Sequence, residues 1–217
     1  MPFDENVFVN CPFDEKYVPL LRPLLFTVIY LGLKPRIALE AIDSGEQRLD
    51  KIVKLIRDSK YSIHDLSRSE AAEAGEMYRL NMPFELGIDF GCRIFGTPKL
   101  KGKRTLVLEA KPHRYKASIS DLSGADIECH DDEPYKVIGV VRNWLKNVCL
   151  AQAAGPALIS SAFSDFMAQN FDALTKLGFS KHDVERLPVG ELIERMETWV
   201  IANASGYLVS APVTRNA

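Results

Sequence analysis

The sequence predicts an α/β fold: a parallel sheet of about five strands with crossover helices, followed by a C-terminal helical hairpin. Two observations predict it. Over residues 1–150, short apolar runs alternate with longer segments of helical periodicity, as in a sheet buried on both faces. After Ala151 the strand signals stop, and Ala154-Gly155-Pro156 breaks the chain before two further helical patterns. The 217 residues therefore divide into an α/β domain over 1–150 and a helical extension over 151–217 that serves packing or oligomerisation.

Val7-Phe8-Val9 is the first strand, ended by Asn10-Cys11-Pro12-Phe13-Asp14, because proline cannot continue a sheet interior. Residues 17–30 form a helix in which Pro19 suits the first turn. Pro23 requires a place near the start or a kink, and Gly32 supplies the stop. Pro35-Arg36-Ile37-Ala38-Leu39 is the second strand. Ser44 is the expected cap of the next helix, where Leu49, Ile52, Val53 and Ile56 recur on one side. Tyr61-Ser62-Ile63-His64-Asp65-Leu66 is the third strand, and the polar, Glu- and Ala-rich stretch over 67–81 reads as a flap or short helix. Asn81-Met82-Pro83 reads as the cap and first turn of a helix reaching Arg93. Arg104-Thr105-Leu106-Val107-Leu108 is a central strand and Ile127-Glu128-Cys129 a short fifth one. Residues 135–150 close the unit as an amphipathic helix carrying Val137, Val140, Val141, Leu145 and Val148.

In the extension, Phe163, Phe166, Phe171, Leu174 and Leu177 line the pattern over 157–177. Leu192, Ile193, Met196, Trp199 and Val200 line that over 183–202. This apolar side requires either the α/β body or a second copy of the chain, the latter a homo-oligomer through residues 157–202.

Composition narrows the function. An apolar share of 47% with 26% charged residues supports a real core. Lysine and arginine number 27 against 29 aspartates and glutamates, so no broad field draws the chain to nucleic acid or an anionic membrane. The longest apolar run, residues 24–33, is interrupted by Thr27 and Gly32 and falls short of the roughly 20 residues of a membrane span. The acidic start leads straight into a strand, unlike a secretory signal. Cys11, Cys92, Cys129 and Cys149 form no CxxC pair, which argues against a zinc site or a disulfide framework and for a reducing cytoplasm. No GxGxxG or GxxxxGK[ST] follows a strand, and no Ser-His-Asp order or local Cys-His pairing marks a hydrolase triad. Lys99, Lys101, Lys103, Arg104, Lys111, Arg114 and Lys116 flank a strand and read as solvated loops, with a phosphate or nucleic-acid patch as the lesser alternative.

Ligands of an open parallel sheet bind outside the carboxyl ends of its strands, so the loops after the strands are where candidates are sought. Glu85 sits in the expected first turn of a helix, whose N-terminus holds a carboxylate anionic near neutrality. Its alternative is a glutamate that serves the helix dipole alone. Asp89, one turn on, shares its face, while Leu86, Phe90 and Ile94 form a separate apolar stripe, so the carboxylates need not enter the core. Gly87 and Gly91 would permit close approach to the sheet or a ligand. Asp65 ends the third strand, where it can orient a ligand or start a turn. His64 faces the opposite side and reads as a half-buried strand residue, and Cys11 as a small buried thiol with a role in shape.

The segments Val7-Phe8-Val9-Asn10-Cys11-Pro12-Phe13-Asp14, Ser62-Ile63-His64-Asp65-Leu66-Ser67 and Pro83-Phe84-Glu85-Leu86-Gly87-Ile88 resemble two groups. These are the bacterial Toll/interleukin-1 receptor (TIR)-like domains and the nucleoside 2-deoxyribosyltransferase-like proteins. The resemblance covers about residues 5–150 and implies a flavodoxin-like fold in which a glutamate at the start of a helix after the third strand acts on an N-glycosidic bond. Glu85 occupies that place. The Glu-Leu-Gly triplet looks more like the deoxyribosyltransferase pattern, whereas the opening strand and the element order suit a TIR-like domain. Asn81-Met82-Pro83-Phe84 departs from the serine, threonine or tryptophan-containing approach usual there, segment 67–80 is longer than the typical connection, and the helical hairpin lies outside both patterns.

By this resemblance Glu85 stabilises or traps an oxocarbenium-like state, Asp65 protonates the leaving base or holds a sugar hydroxyl, and Phe13 stacks on a base. Asn10, Cys11, Asp14, Ser67 and Asp89 complete the expected substrate-binding set. No metal or cofactor is implied; NAD enters as a substrate. The function implied is a nucleotide-binding TIR-like protein acting as an NAD glycohydrolase in bacterial defence signalling. Its competitors are a non-catalytic nucleotide-sensing or self-association module and a nucleoside deoxyribosyltransferase.

Overall fold

Five parallel strands form one sheet: β1 (Asn6–Asn10), β2 (Lys34–Arg36), β3 (Tyr61–Asp65), β4 (Arg104–Glu109) and β5 (Ile127–Cys129). Their order, β2-β1-β3-β4-β5, is that of a flavodoxin-like sheet, with its topological switch point between β1 and β3. The structure is a computed structural model and describes residues 2–40, 43–68, 80–117 and 119–203. The expected flap over 67–81 falls mostly outside these residues, as does the end of the extension. Val7 pairs with Tyr61 and Asn10 with His64, which sets the polar end of β1 beside that of β3.

The crossover helices are α1 (Val18–Tyr30), α2 (Arg48–Arg57), α3 (Asn81–Phe95), the short α4 (Pro98–Lys101) and α5 (Pro134–Val148). Strand alternation sorts the core. Val7, Val9, Tyr61, Ile63, Leu106 and Leu108 face α1 and α5, whereas Phe8 packs with Ile52, Leu55 and Ile56 of α2, and Val107 with Met82 and Leu86 of α3. Gly32 stops α1 as expected: at φ 79° it lets its own N–H reach the Ile29 carbonyl (2.9 Å) while the Leu33 N–H reaches that of Val28 (3.1 Å). Pro23 lies inside α1, one turn beyond Pro19, and the helix continues through it; the Thr27 hydroxyl donates to the Pro23 carbonyl at 2.7 Å.

Four local expectations are corrected. β2 ends at Arg36 because Glu40 turns back on it, accepting from the Arg36 guanidinium at 2.7 Å and from the Ile37 N–H at 3.1 Å. Ser44 caps nothing: it lies in a turn held by Gly45 N–H donating to Asp43 (2.8 Å), and α2 begins after Gln47. Leu49 and Val53 are exposed, with Leu55 buried beside Ile52 and Ile56 instead. Asn81 is already inside α3, whose cap is Leu80, so Glu85 lies in the second turn.

The extension comprises α6 (Pro156–Lys176), the short α7 (Lys181–Glu185) and α8 (Val189–Asn203). The second helical pattern is therefore split, because Pro188 restricts the residue before it and lacks the N–H a helix interior needs. Ser180 and Asp183 cap α7 reciprocally. The apolar side of the extension is seated on its own body. Phe26 of α1 meets Phe163, Phe166 and Trp199 at centroid distances of 5.4, 5.6 and 5.8 Å, and Ile159, Leu174, Met196 and Val200 join the same core. Burial of these side chains thus needs no second copy. Phe171 and Leu177, expected to line it, are exposed.

Gly190 at the start of α8 fixes this docking. A Cβ there would lie 2.6 Å from the Glu40 carbonyl oxygen, so the helix must retreat from the β2 turn if any side chain is added. Gly190→Ala is expected to cost about 1–3 kcal/mol, read as a lower urea midpoint with an unchanged slope.

Candidate functional site

Beside the apolar contact of Val107, the face of β3 and β4 that meets α3 is polar where a helix–sheet contact is usually apolar throughout. Ser62 and His64 of β3 and Thr105 of β4 point at α3, and Asp89 descends to meet them. Its carboxylate accepts from the Ser62 hydroxyl, from Thr105 Oγ1 (3.2 Å) and from His64 Nε2 (3.1 Å), and pairs with Lys103 Nζ (3.0 Å). Lys103 is 0% exposed and also donates to the carbonyls of Ile56 (2.8 Å) and Ser59, at the carboxyl end of α2. Burial alone would raise the Asp89 carboxyl, but the hydrogen bond from His64, the Lys103 charge and the Ser62 hydroxyl together hold it well below the ordinary carboxylate range.

The network reaches the top of the sheet through Asn10. Its Nδ2 lies 2.9 Å from His64 Nδ1 and donates to the Met82 carbonyl at 3.0 Å. Asn10 has two such protons and His64 Nδ1 must then accept, which leaves the Nε2 proton for Asp89. Asn10 thereby clamps the first turn of α3 to β1.

Glu85 sits one turn above Asp89 and opens on a cleft of about 520 Å³ at the carboxyl end of β1. Asn10, Cys11, Pro12, Phe13 and Asp14 line it from the β1 loop, Arg48 from α2, and Leu80, Asn81, Met82 and Glu85 from the start of α3. The cleft lies at the β1/β3 switch point, where open α/β sheets bind ligands. Glu85 is only 6% exposed, and among the described residues the opposite charge that pairs with it is Arg48, 3.9 Å away. Burial pushes its carboxyl up to about 7, with Arg48 partly opposing. The expectation of a carboxylate kept anionic by the helix N-terminus is therefore corrected, because second-turn placement weakens the dipole and burial dominates.

Both carboxylates enter the interior, contrary to the expected separation from the core, while Ile94 of the apolar stripe is exposed. Gly87 and Gly91 make no close approach, since a Cβ at either would meet nothing within 4 Å among the described residues.

The structure does not bring all the expected site residues together. Asn10, Cys11, Phe13 and Asp14 surround the cleft with Glu85, but Asp65, Ser67 and Asp89 do not line it. Adjacent strand residues face opposite ways, so Asp65 points to the α1 side. There it accepts from the Tyr17 hydroxyl (2.5 Å) and the Ser67 N–H (2.8 Å) and lies 3.1 Å from His130 Nε2. Burial would raise the Asp65 carboxyl, but His130, Ser67 and Tyr17 hold it below its usual value. His130 is oriented by the Asp132 N–H donating to Nδ1 at 3.0 Å, in a turn where Asp131 and Asp132 have φ of 53° and 57°. The Ser67 carbonyl accepts from Arg114, which also pairs with the buried Glu109. Asp65 is thus a tie between α1, the end of β3 and the loop after β5.

Asp14 accepts from the Tyr17 N–H at 3.1 Å, and Phe13 lies half-buried under the Arg48 guanidinium, 5.9 Å from ring centroid to carbon. Cys11 is buried, and desolvation with the carboxylates of Asp65, Glu85 and Asp14 pushes its thiol well above its ordinary value. It is protonated and unreactive at neutral pH, in keeping with a role in shape.

Sequence reasoning missed Tyr17, Arg48, Lys103 and His130. Lys103 was indistinguishable from its solvated basic neighbours. His130 carried a usable signal, because it directly follows the fifth strand at the ligand-binding edge. Among the described residues no group of three or more His, Cys, Asp or Glu could hold a metal ion, and no helix is long and apolar enough to cross a membrane.

Fold and site together define a flavodoxin-like α/β protein with a recessed glutamate in a cleft at the switch point of its sheet. No protein-family model, curated protein or solved structure matches the chain.

Proposed function

We propose that the chain binds a nucleotide or nucleoside in the Glu85 cleft and cleaves its N-glycosidic bond, with NAD as the best-fitting substrate. The observation that carries this reading is Glu85 itself: an almost fully buried carboxyl that lines the cleft and is raised to about 7 by burial. Phe13 offers an aromatic edge to a base.

The described cleft residues favour NAD among nucleotides: beside Glu85 the other lining carboxylate among them, Asp14, already accepts from the Tyr17 N–H. Cleaving a neutral nucleoside requires an acid to protonate the departing base, and Asp65 is committed elsewhere. In NAD the leaving ring is already a pyridinium cation. Its C1′–N bond breaks with both electrons passing to nitrogen, so nicotinamide departs neutral and unprotonated. The positive charge left on C1′ and the ring oxygen is stabilised by the Glu85 carboxylate, and water then adds to C1′ as Glu85 takes its proton.

The test is incubation of purified protein with NAD and a nucleoside panel, with products separated by chromatography. Release of nicotinamide without an added acceptor base supports hydrolysis; conversion only when a second base is supplied supports base exchange. Binding of NAD without any product supports the sensing module. Because the anion of Glu85 acts, kcat/KM is expected to rise about tenfold per pH unit below about 7 and to level off above it. A flat profile from pH 6 to 8 would remove Glu85 from the chemistry. A role in defence signalling rests on the TIR-like resemblance alone.

A further inference from the structure

Arg48 and Glu85 face each other without meeting. Nη2 of Arg48 stands 3.9 Å from Oε1 of Glu85, beyond hydrogen-bond length, and no hydrogen bond joins either side chain to another described residue. The glutamate is held by α3, itself clamped through Met82 to Asn10, while the guanidinium starts α2 and lies over Phe13. An oxygen atom about 2.8 Å from both Nη2 and Oε1 would bridge the two groups.

The bridging group must donate to the carboxylate and accept from the guanidinium. A hydroxyl does both through one atom; a phosphate oxygen only accepts and an ammonium only donates.

We propose that Arg48 and Glu85 together bind a sugar hydroxyl, so that the cleft selects ribose over 2′-deoxyribose, with Arg48 as the specificity-determining residue. The inference rests on the N-glycosidic reading and names its substrate class. The 2′-hydroxyl is on the carbon next to C1′, so holding it against Glu85 also brings the carboxylate to the anomeric centre. Without the hydroxyl, Glu85 and Arg48 lose the bridge, and a deoxynucleoside is left loosely placed.

The experiment compares nicotinamide riboside and adenosine with their 2′-deoxy counterparts, by calorimetric titration of the full chain, with free nicotinamide as a control. Wild type is expected to bind each riboside about tenfold or more tighter than its deoxy partner. Arg48→Met, which keeps the stem and removes the donors, is expected to weaken the ribosides to the level of the deoxy compounds and leave the latter unchanged. Arg48→Lys should restore part of the preference. Equal binding of both series by wild type, or tighter binding of the deoxy series, overturns the inference while leaving a nucleoside site standing. Binding of free nicotinamide that Arg48→Met abolishes also overturns it, because the pair would then read an amide edge. If no riboside, deoxyriboside or NAD binds to protein whose circular dichroism shows it folded, the N-glycosidic reading itself fails and the inference falls with it.

Discussion

Glu85→Gln is expected to reduce NAD cleavage by at least about a hundredfold and, at the same time, to make the protein more stable at pH 8. The two effects share one cause. Burial raises the folded-state pKa of Glu85 to about 7, from an ordinary value of 4.5, so between these limits the folded chain holds a proton that the unfolded chain has lost. Wild-type stability contributed at this site is therefore intact below about pH 4.5, declines as pH rises, and has fully gone above pH 7. Glutamine carries no charge to bury. The variant should match wild type near pH 4.5 and exceed it by about 1–2 kcal/mol at pH 8, allowing for the water that reaches the cleft. Paired denaturant titrations at the two pH values check this. A variant less stable than wild type at pH 8 would mean that Glu85 is structurally employed rather than held in reserve for a ligand.

The buried pair beneath it behaves in the opposite sense. Asp89→Asn leaves the fully buried Lys103 ammonium facing two carbonyls and no anion, and is expected to cost about 3–5 kcal/mol, a large part of a typical domain's stability. Lys103→Met alone should also destabilise, since it frees the Ile56 and Ser59 carbonyls and strips Asp89 of its cation. Removing both charges together, as Asp89→Asn with Lys103→Met, should cost less than the two single changes combined, because neither charge is left unpaired. The folded-state pKa of Asp89 is depressed, so its contribution is fully present above the ordinary carboxylate range and disappears as pH falls through the acid range. Loss of that acid limb in Asp89→Asn is the second readout. Additive costs in the double variant would show that the pair is not coupled.

What could be read beforehand divides along a physical line. The five strands, the α1 stop at Gly32 and the break before α6 were visible because each depends on local pattern: buried strands read as apolar runs, and glycine and proline punctuate the chain. Glu85 was found because a strand–helix order places it at the ligand edge. Its protonation was misread because that depends on how deep the second turn of α3 sinks, which is a tertiary quantity. Asp65 reads as a site residue from its strand end and Asp89 from sharing a helix face with Glu85, since a carboxylate in either place looks the same whether it faces a cleft or a buried tyrosine, histidine or lysine. Lys103 was hidden for the same reason. The partners of these carboxylates come from strands and helices as far apart in sequence as Tyr17 and Asp65, or Ser62 and Asp89, and no local spacing reports such meetings. The extension's choice of its own body over a second copy likewise turns on Phe26, whose place on the side of α1 that meets α6 and α8 no periodicity reveals.

That seam between α1 and the extension has an optical consequence. The chain has two tryptophans, and each belongs to a different side of it. Trp144 stands edge-on to Tyr61 of β3, with ring centroids 6.3 Å apart, while Trp199 of α8 lies against Phe26 and Phe166. Each layer thus carries its own fluorophore. Emission from the protein with Trp144 replaced by phenylalanine follows the outer helices, and emission with Trp199 replaced follows the sheet. The pair can tell a single concerted unfolding from a peeling of α6 and α8 that leaves the flavodoxin-like core in place.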